Sequence, residues 1–361
     1  MRRGAAGGIG GAPLLGVTLL LGAALGGCSA SVPGTSLPGA LPPTTVPAPT
    51  ATPGELVLTF AGDVHFAERT TALLDDPATA FGPVAGVFAG SDLTVVNLET
   101  AVTTRGSAEP KQFLFRAPPT AYEAVRAAGV DAVSLGNNHV LDYGRVGLAD
   151  SVAHAAGAGV PVFGAGPSAA DAWAPWLVEV NQTRLAFIGI SQVHELESSW
   201  VATDSRPGVA HARDPTRSAR AVREAAGRAD FVVVYMHWGR EGRDCPTAEM
   251  RTFAKLLADA GADLIVGTHA HLLLGDGWLG DTFVAYGLGN FLWWWNDAYS
   301  NDTGVLRVSL QNKKIARTEL VPAHISRETG QPIPVTGAEA TRITTKYQAL
   351  RECTGLAPKP S

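Results

Sequence analysis

The chain has 361 residues, of which 46% are hydrophobic and 17% charged, with a formal net charge of -5. That length and apolar content allow one large domain or two ordinary ones, each with its own core. The acidic balance, with no Lys/Arg-rich run, excludes the electrostatic footprint of a nucleic-acid binder.

The N-terminus reads as a targeting segment. MRRG carries positive charge, APLLGVTLLLGAAL is apolar, and LGGC sets Cys28 directly after small residues. The apolar stretch is short for a spanning helix and has the layout of a secretory signal. Its ending resembles the bacterial lipobox, which implies that Cys28 becomes the lipidated first residue of a mature protein held outside the cytoplasm on the cell membrane. Residues 29–54 are rich in Pro, Ser, Thr and Ala without a hydrophobic period, the composition of a flexible tether. Residues 55–361 are expected to form the folded domain. No later segment is long and apolar enough to span a membrane. Cys245 and Cys353 remain. A disulfide is permitted outside the cytoplasm, but spacing leaves paired and unpaired states equally open, and neither lies in a CxxC motif.

From Glu55 onward, apolar runs alternate with helical patterns. LVLTFAGD and LTVVNLE read as strands, PTAYEAVRAAGV as a helix ending at Gly129, and DAVSLGNNH as a strand. A helix through GLADSVAHAAGAG follows, then a short strand PVFGAG and a hairpin WLVEVNQTRLAFIGIS turning at Asn181 to Thr183. PTRSARAVREAAGRA is a helix with Pro215 in its first turn. FVVVYMHWG is a buried strand, TAEMRTFAKLLADAG a helix and DLIVGTHAH a strand. TFVAYGLGNF, GVLRVSL and ARTELVPAHI are strands in succession. No fixed-period repeat is present. Alternating strands and helices followed by consecutive strands predict an α/β domain with mixed sheets.

The ends of the apolar runs carry the chemistry. One ends at Asp63 and His65, the next at Asn97 and Glu99, and a third at Asn137, Asn138 and His139. Another carries His237, and LIVGTHAH carries His269 and His271. Ligands in α/β sheets bind outside the carboxyl ends of strands, so these side chains are expected on one rim. Strand alternation predicts that His269 and His271 share a face, as do Asp63 and His65. Imidazole with carboxylate and amide oxygen suits Mn, Fe, Zn or Ni. The ligand-type residues exceed one tetrahedral site and fit a pair of ions bridged by a carboxylate. His154, His194, His211 and His324 read as ordinary hydrogen-bonded histidines.

The ordered series GDVHF, VVNLET, FRAPP, SLGNNHVLDYG, MHWGREG, GTHAHLL and YGLGNF resembles the CapA family of poly-γ-glutamate capsule biosynthesis proteins, whose core is similar to calcineurin-like metallophosphatases. The resemblance covers about Leu56 to Phe291. It implies a four-layer α/β/β/α sandwich with two mixed sheets. It also implies that Asp63, His65 and His271 hold one divalent ion, that Glu99 bridges, and that Asn138, His237 and His269 hold a second. His139 would be the general acid, oriented by Asp142. Glu99 stands where the phosphatases place Asp, and His65 stands where CapA-like chains more often carry an apolar residue.

Asn97, Arg116 and Asn290 are candidates for binding an anionic substrate, and Arg240, Glu241 and Arg243 for lining the mouth. Trp293, Trp294 and Trp295 cannot all face one way in a strand; packing against the C-terminal segment is the expected use, with at least one available as a binding platform. The resemblance implies one of two functions. The first is a metal-dependent hydrolase in which a metal-bound hydroxide attacks a phosphoester or amide. The second is a non-catalytic subunit that holds an anionic polymer within a capsule-synthesis complex at the membrane. A solute-binding lipoprotein would not need so many ligand-type residues at strand ends.

Overall fold

Every residue of the strand Leu56–Val64 is buried, so both of its faces must be covered. In the computed structural model, which describes residues 54–361, two different cores cover them. Leu56, Leu58 and Phe60 point into one core, while Ala61 and Val64 point into another. The same division recurs in Phe231–His237, where Phe231, Val233 and Tyr235 share the core of Phe60, whereas Val232, Val234 and Met236 face away from it. Strand alternation therefore builds three apolar layers: one between two sheets and one outside each. The result is an α/β/β/α sandwich. The expected signal segment with its lipid-bearing Cys28, and the tether as far as residue 53, lie outside the described residues.

The first sheet runs in the order Pro332–Pro334, Lys314–Ile325, Asp302–Gln311, Leu56–Val64, Leu93–Leu98, Ala132–Ser134, Val162–Phe163, with Asn290–Leu292 also paired to Leu56–Val64. The second runs Leu273–Leu279, Thr282–Leu288, Leu264–Thr268, Phe231–His237, Thr183–Ser191, Trp176–Val180. Leu56–Val64, Leu93–Leu98 and Ala132–Ser134 are parallel, as are Thr183–Ser191, Phe231–His237, Leu264–Thr268 and Thr282–Leu288. Parallel neighbours bring their carboxyl ends to a common edge, where ligands of such sheets gather.

Helices cover the outer faces. Thr120–Ala127 and Gly144–Ala158 place Tyr122, Val125, Leu148 and Ala155 on the first sheet. Pro215–Ala226 and Ala248–Asp259 place Val222, Phe253 and Leu257 on the second. Their boundaries follow local chemistry. Asp214 Oδ1 accepts from the Arg217 N–H at 2.9 Å ahead of Pro215. Thr247 Oγ1 accepts from the Met250 N–H at 3.2 Å. Both satisfy a donor that the first turn of a helix leaves unpaired. Gly159 ends its helix at φ 69°, the left-handed conformation that closes many helices. The hairpin turns at Asn181 and Gln182, both at positive φ, as two-residue turns that match strand twist require.

Four features differ from the sequence expectations. The strand expected over DAVSLGNNH is only Ala132–Ser134; the chain leaves the sheet at Leu135 to form the site. PVFGAG breaks into Val162–Phe163 and Ala165–Gly166 at Gly164, whose φ is 90°. DLIVGTHAH is a strand only as far as Thr268. A C-terminal helix, Gly337–Ala349, has no clear signature in its Thr-rich sequence; it buries Ile343 and Tyr347, which are spaced one turn apart. No helix among the described residues is long and apolar enough to cross a membrane.

Cys245 and Cys353 form a disulfide, with Cα atoms 5.8 Å apart and a sequence separation of 108. Closing so long a loop removes denatured-state entropy and stabilises by roughly 2–5 kcal/mol. Cys353→Ser should lower the unfolding free energy by that amount in a urea titration. Dithiothreitol should then destabilise the parent protein but not the variant.

Candidate metal centre

The edge shared by the two sheets is held together by Asp63. Gly62 makes its position possible: a Cβ there would lie 1.9 Å from the Gly289 carbonyl oxygen. Only glycine allows that approach. The Asp63 N–H then donates to the same carbonyl at 2.9 Å. Asp63 Oδ1 accepts from Asn97 Nδ2 at 2.8 Å, and Oδ2 accepts from the His269 backbone N–H at 3.0 Å. One carboxylate thus joins the first sheet to the second. Burial alone would raise its pKa, but His271, His237 and Asn97 together hold it below the usual range.

Around Asp63 the other strand ends converge. His237 Nε2 lies 2.7 Å from Asn138 Oδ1 and 3.2 Å from Glu99 Oε1. His237 Nδ1 meets the Thr268 hydroxyl at 2.9 Å, and that hydroxyl donates to the Met236 carbonyl at 3.1 Å. The Thr268 hydroxyl and Asn97 Nδ2, 3.3 Å away, hold the ring at Nδ1 and leave Nε2 facing the cluster. Burial lowers the His237 pKa to about 3, which keeps the ring neutral. Glu99 is fully buried with neither carboxylate oxygen hydrogen-bonded. Burial, then the Asp63 charge, pushes its pKa well above the carboxylate range. His269 Nδ1 is also buried without a partner, and burial holds that ring neutral. His271 Nδ1 stands 3.5 Å from Asp63 Oδ2, too far for a good hydrogen bond. Burial opposes its charge, but Asp63, Glu99 and Glu241 outweigh it and raise its pKa to about 9.

His269 and His271 do not share a strand face. Both lie in the loop beyond Thr268, at φ 85° and 58° respectively. That region is costly for residues with a Cβ. The strained loop, rather than strand alternation, brings their ring centres to 5.8 Å. Three sets of ligand atoms each lie within 4.8 Å of one another: Glu99 with His237 and His269, Asp63 with Glu99 and His271, and Glu241 with His269 and His271. Glu99 belongs to the first two sets, as a bridging carboxylate would. Unpartnered acceptors in a buried cluster have no donors to receive, and imidazole with carboxylate and amide oxygen fits divalent cations.

His65 is not brought into this set. The Ala67 N–H approaches its Nδ1 at 3.0 Å and the Trp294 N–H its Nε2 at 3.3 Å, while its ring stacks on Phe115. A neutral imidazole accepts at one nitrogen only, and the shorter contact gives that role to Nδ1; His65 belongs to none of the ligand sets clustered around Asp63 and Glu99. Asn97 supports Asp63 and is fully buried, so it is not available to a substrate. Arg116 lies over the Tyr143 ring at 4.1 Å, outside the cleft beside the cluster. Asn290 does line that cleft, with its Oδ1 unpartnered, as do Glu241 and Gly242.

His139 and Asp142 meet as a pair, with Nδ1 2.6 Å from Oδ2. His139 Nε2 faces Glu99 Oε1 at 3.8 Å. Asn137 Oδ1 accepts from the His139 and Val140 N–H groups at 3.0 Å each, which holds the loop that presents this ring. Burial lowers the His139 pKa well below its usual value, assisted by Lys111. Burial also raises Asp142 to about 7, against the pull of Lys111.

Lys111 is a member of the site that sequence reasoning misses. Its side chain is 1% exposed, with Nζ 2.7 Å from Asp142 Oδ1, 3.3 Å from Glu195 Oε2 and in hydrogen-bond contact with the Asn138 carbonyl. It also lies 4.8 Å from the centre of the Trp200 ring. A lone Lys in a loop has the sequence signature of a surface charge, and only the fold shows that it is buried.

The fold and the cluster define an α/β/β/α protein with a candidate metal centre at the joined carboxyl ends of its sheets. The family model described as bacterial capsule synthesis protein PGA_cap matches residues 57–293, and the chain belongs to that family. It is 28% identical to the capsule biosynthesis protein CapA of Bacillus anthracis, over 79% of this chain and 70% of that protein. It is also 28% identical to the PGA biosynthesis protein CapA of Bacillus subtilis (strain 168), over 77% of this chain and 74% of that one. Among solved structures, the NAD nucleotidase of Haemophilus influenzae aligns with 85% of this chain and 65% of its own, at 14% identity and a TM-score of 0.46.

Cation uptake must displace the proton of His271, whose pKa is raised to about 9. Affinity for Mn²⁺ should therefore rise by at least about tenfold per pH unit as pH increases towards that value. In competition with a chromophoric chelator, His271→Asn should bind more weakly and with a shallower pH slope. Lys111→Met leaves the buried Asp142 without its cation and should cost about 3–5 kcal/mol in urea unfolding. Adding Asp142→Asn should recover part of that loss, as a double-mutant cycle would register.

Proposed function

We propose that this chain is a metal-dependent hydrolase of a phosphoester or amide, serving the synthesis of a capsule or other envelope polymer. The observation that carries the reading is Glu99, a buried carboxylate with no hydrogen bond, facing His237 Nε2 and standing between two sets of ligand atoms. Divalent cations held by Asp63, Glu99, Asn138, His237, His269 and His271 would polarise the scissile group and lower the pKa of water beside it. Membership of the capsule-synthesis family supports the assignment to polymer metabolism. The proposal includes attachment to the outer face of the cell membrane through Cys28, on the strength of the sequence of residues 1–28 alone.

The chain's own residues divide the work. Asp63, oriented by Asn97 and the His269 N–H, fixes the spacing of the two sheets. Thr268 holds the ring of His237 in place through Nδ1. Asp142 holds His139 through Nδ1, so that Nε2 of the protonated form faces the leaving group and delivers a proton to it. Burial and Lys111 oppose that form, which makes the ring a strong acid once protonated. The Asn290 Oδ1 offers an acceptor at the cleft floor to a hydroxyl or amide of the substrate.

The test is a screen of phosphoesters and γ-glutamyl amides with the chain loaded with Mn, Fe or Zn. His269→Ala should lose metal and turnover together. His139→Ala should keep its metal but lose about 10²–10⁴-fold in kcat. Turnover that persists in metal-stripped protein, or in both variants, would overturn the reading.

A further inference from the structure

The cleft beside the cluster has a volume of about 270 Å³ and walls that are mainly apolar. Its inner end is formed by His139, His271 and Asn290, and its outer part by Phe113, Trp294, Trp295 and Tyr299. Three of these rings are large apolar groups left open to solvent: Phe113 at 43%, Trp295 at 48% and Tyr299 at 52%. Adjacent exposed aromatics at the mouth of a cleft mark a binding surface.

This wall is a built feature. The Arg69 guanidinium donates to the carbonyls of Trp293, Trp294 and Trp295, so the segment is pinned from behind and the Arg69 charge is taken up by main chain. Asp297 Oδ1 accepts from the Tyr299 and Ser300 N–H groups at 2.7 and 2.8 Å, which fixes the turn carrying Tyr299. Ordering these side chains in advance lowers the entropy cost of binding.

We propose that this aromatic cleft binds a neutral carbohydrate ring and thereby presents a phosphoester or amide attached to that ring to the metal cluster. The second half rests on the hydrolase reading; the first does not. Three observations select the ligand class. Among the described residues lining the cleft, none is Lys or Arg, with Lys346 Nζ 5.5 Å from the Tyr299 ring centre behind that lining, whereas Glu241 and Asp297 are acidic. A γ-glutamyl chain carries a carboxylate on each residue and would set these against Glu241 and Asp297. A neutral sugar instead stacks its C–H face on an aromatic ring and donates its hydroxyls to carboxylates. Trp294 and Trp295 are perpendicular at 4.9 Å, and Phe113 is tilted 49° to Trp294, so these faces leave no parallel slot for a planar base. The volume is close to the lower bound of roughly 300 Å³ for small-molecule sites, which suits a ring or two rather than a polymer strand.

The test is isothermal calorimetry on the metal-free full chain with maltose, N,N′-diacetylchitobiose and tri-γ-glutamate. At least one neutral disaccharide should bind saturably, and Trp295→Ala should weaken it about three- to tenfold. Tri-γ-glutamate should neither bind nor compete. The inference falls if neither disaccharide binds, if Trp295→Ala leaves the affinity unchanged, or if tri-γ-glutamate binds in a Trp295-dependent manner. Metal content measured on the same protein after reloading with Mn²⁺ separates the two readings. Metal without sugar binding overturns this inference and leaves the hydrolase standing, and sugar without metal does the reverse.

Discussion

The molecule depends on one carboxylate that belongs to two sheets. Asp63 ends a strand of the first sheet, takes a hydrogen bond from Asn97 beside it, and takes another from the His269 N–H of the second sheet. The apolar layer between the sheets is non-directional and sets their distance but not their register; that bridge sets the register, together with the Tyr235 hydroxyl, which donates to the Ala61 carbonyl, and the contact of His237 with Asn138. With these contacts, Glu99 and Asn138 from one sheet stand opposite His237, His269 and His271 from the other. Gly62 and Gly289 allow the backbones to close enough for this to happen.

The polar cluster is costly as it stands. Glu99 has no hydrogen bond, two histidines hold unpartnered nitrogens, and the loop that carries them has two residues at positive φ. Such costs are tolerated where the surrounding fold over-determines the geometry and where function requires it. The support is visible in the layers beneath: Asn137 ties its loop to Asn97 and to the Leu98 carbonyl, and Thr268 orients His237. Lys111 and Asp142 hold His139 from the other side, with Phe115 stacked on its ring at 4.1 Å. Rigidity at the cluster therefore comes from hydrogen bonds, and rigidity at the cleft wall from Arg69 and the tryptophan backbone.

Much of this is legible in local pattern. Apolar runs ending in Asp, Glu, Asn or His mark the rim, because strand ends and ligand residues coincide in α/β sheets. The caps at Asp214 and Thr247 and the turn at Asn181 and Gln182 are short-range chemistry and readable as such. Reading fails where a residue's role is set by distant partners. His65 looks like half of an Asp-x-His ligand pair, yet its Nδ1 accepts from the Ala67 N–H and its ring is stacked on Phe115. In FLFRAPP the buried residues are Phe115 and Ala117, while Arg116 points out onto Tyr143. Lys111 has no local signal at all.

The sequence by itself determined the α/β class, the positions of most elements, the family and the residues available for a metal centre, because hydrophobic period, capping and motif order are properties of neighbouring residues. The tertiary structure alone decided which of those residues meet. The pairing of Cys245 with Cys353, the burial of Lys111, the displacement of His65, the loop geometry of His269 and His271, and the aromatic wall beside them all depend on contacts between segments far apart in the chain. Local pattern fixes which face of a strand is apolar; it carries no information about which polar groups the opposite sheet will bring to its end.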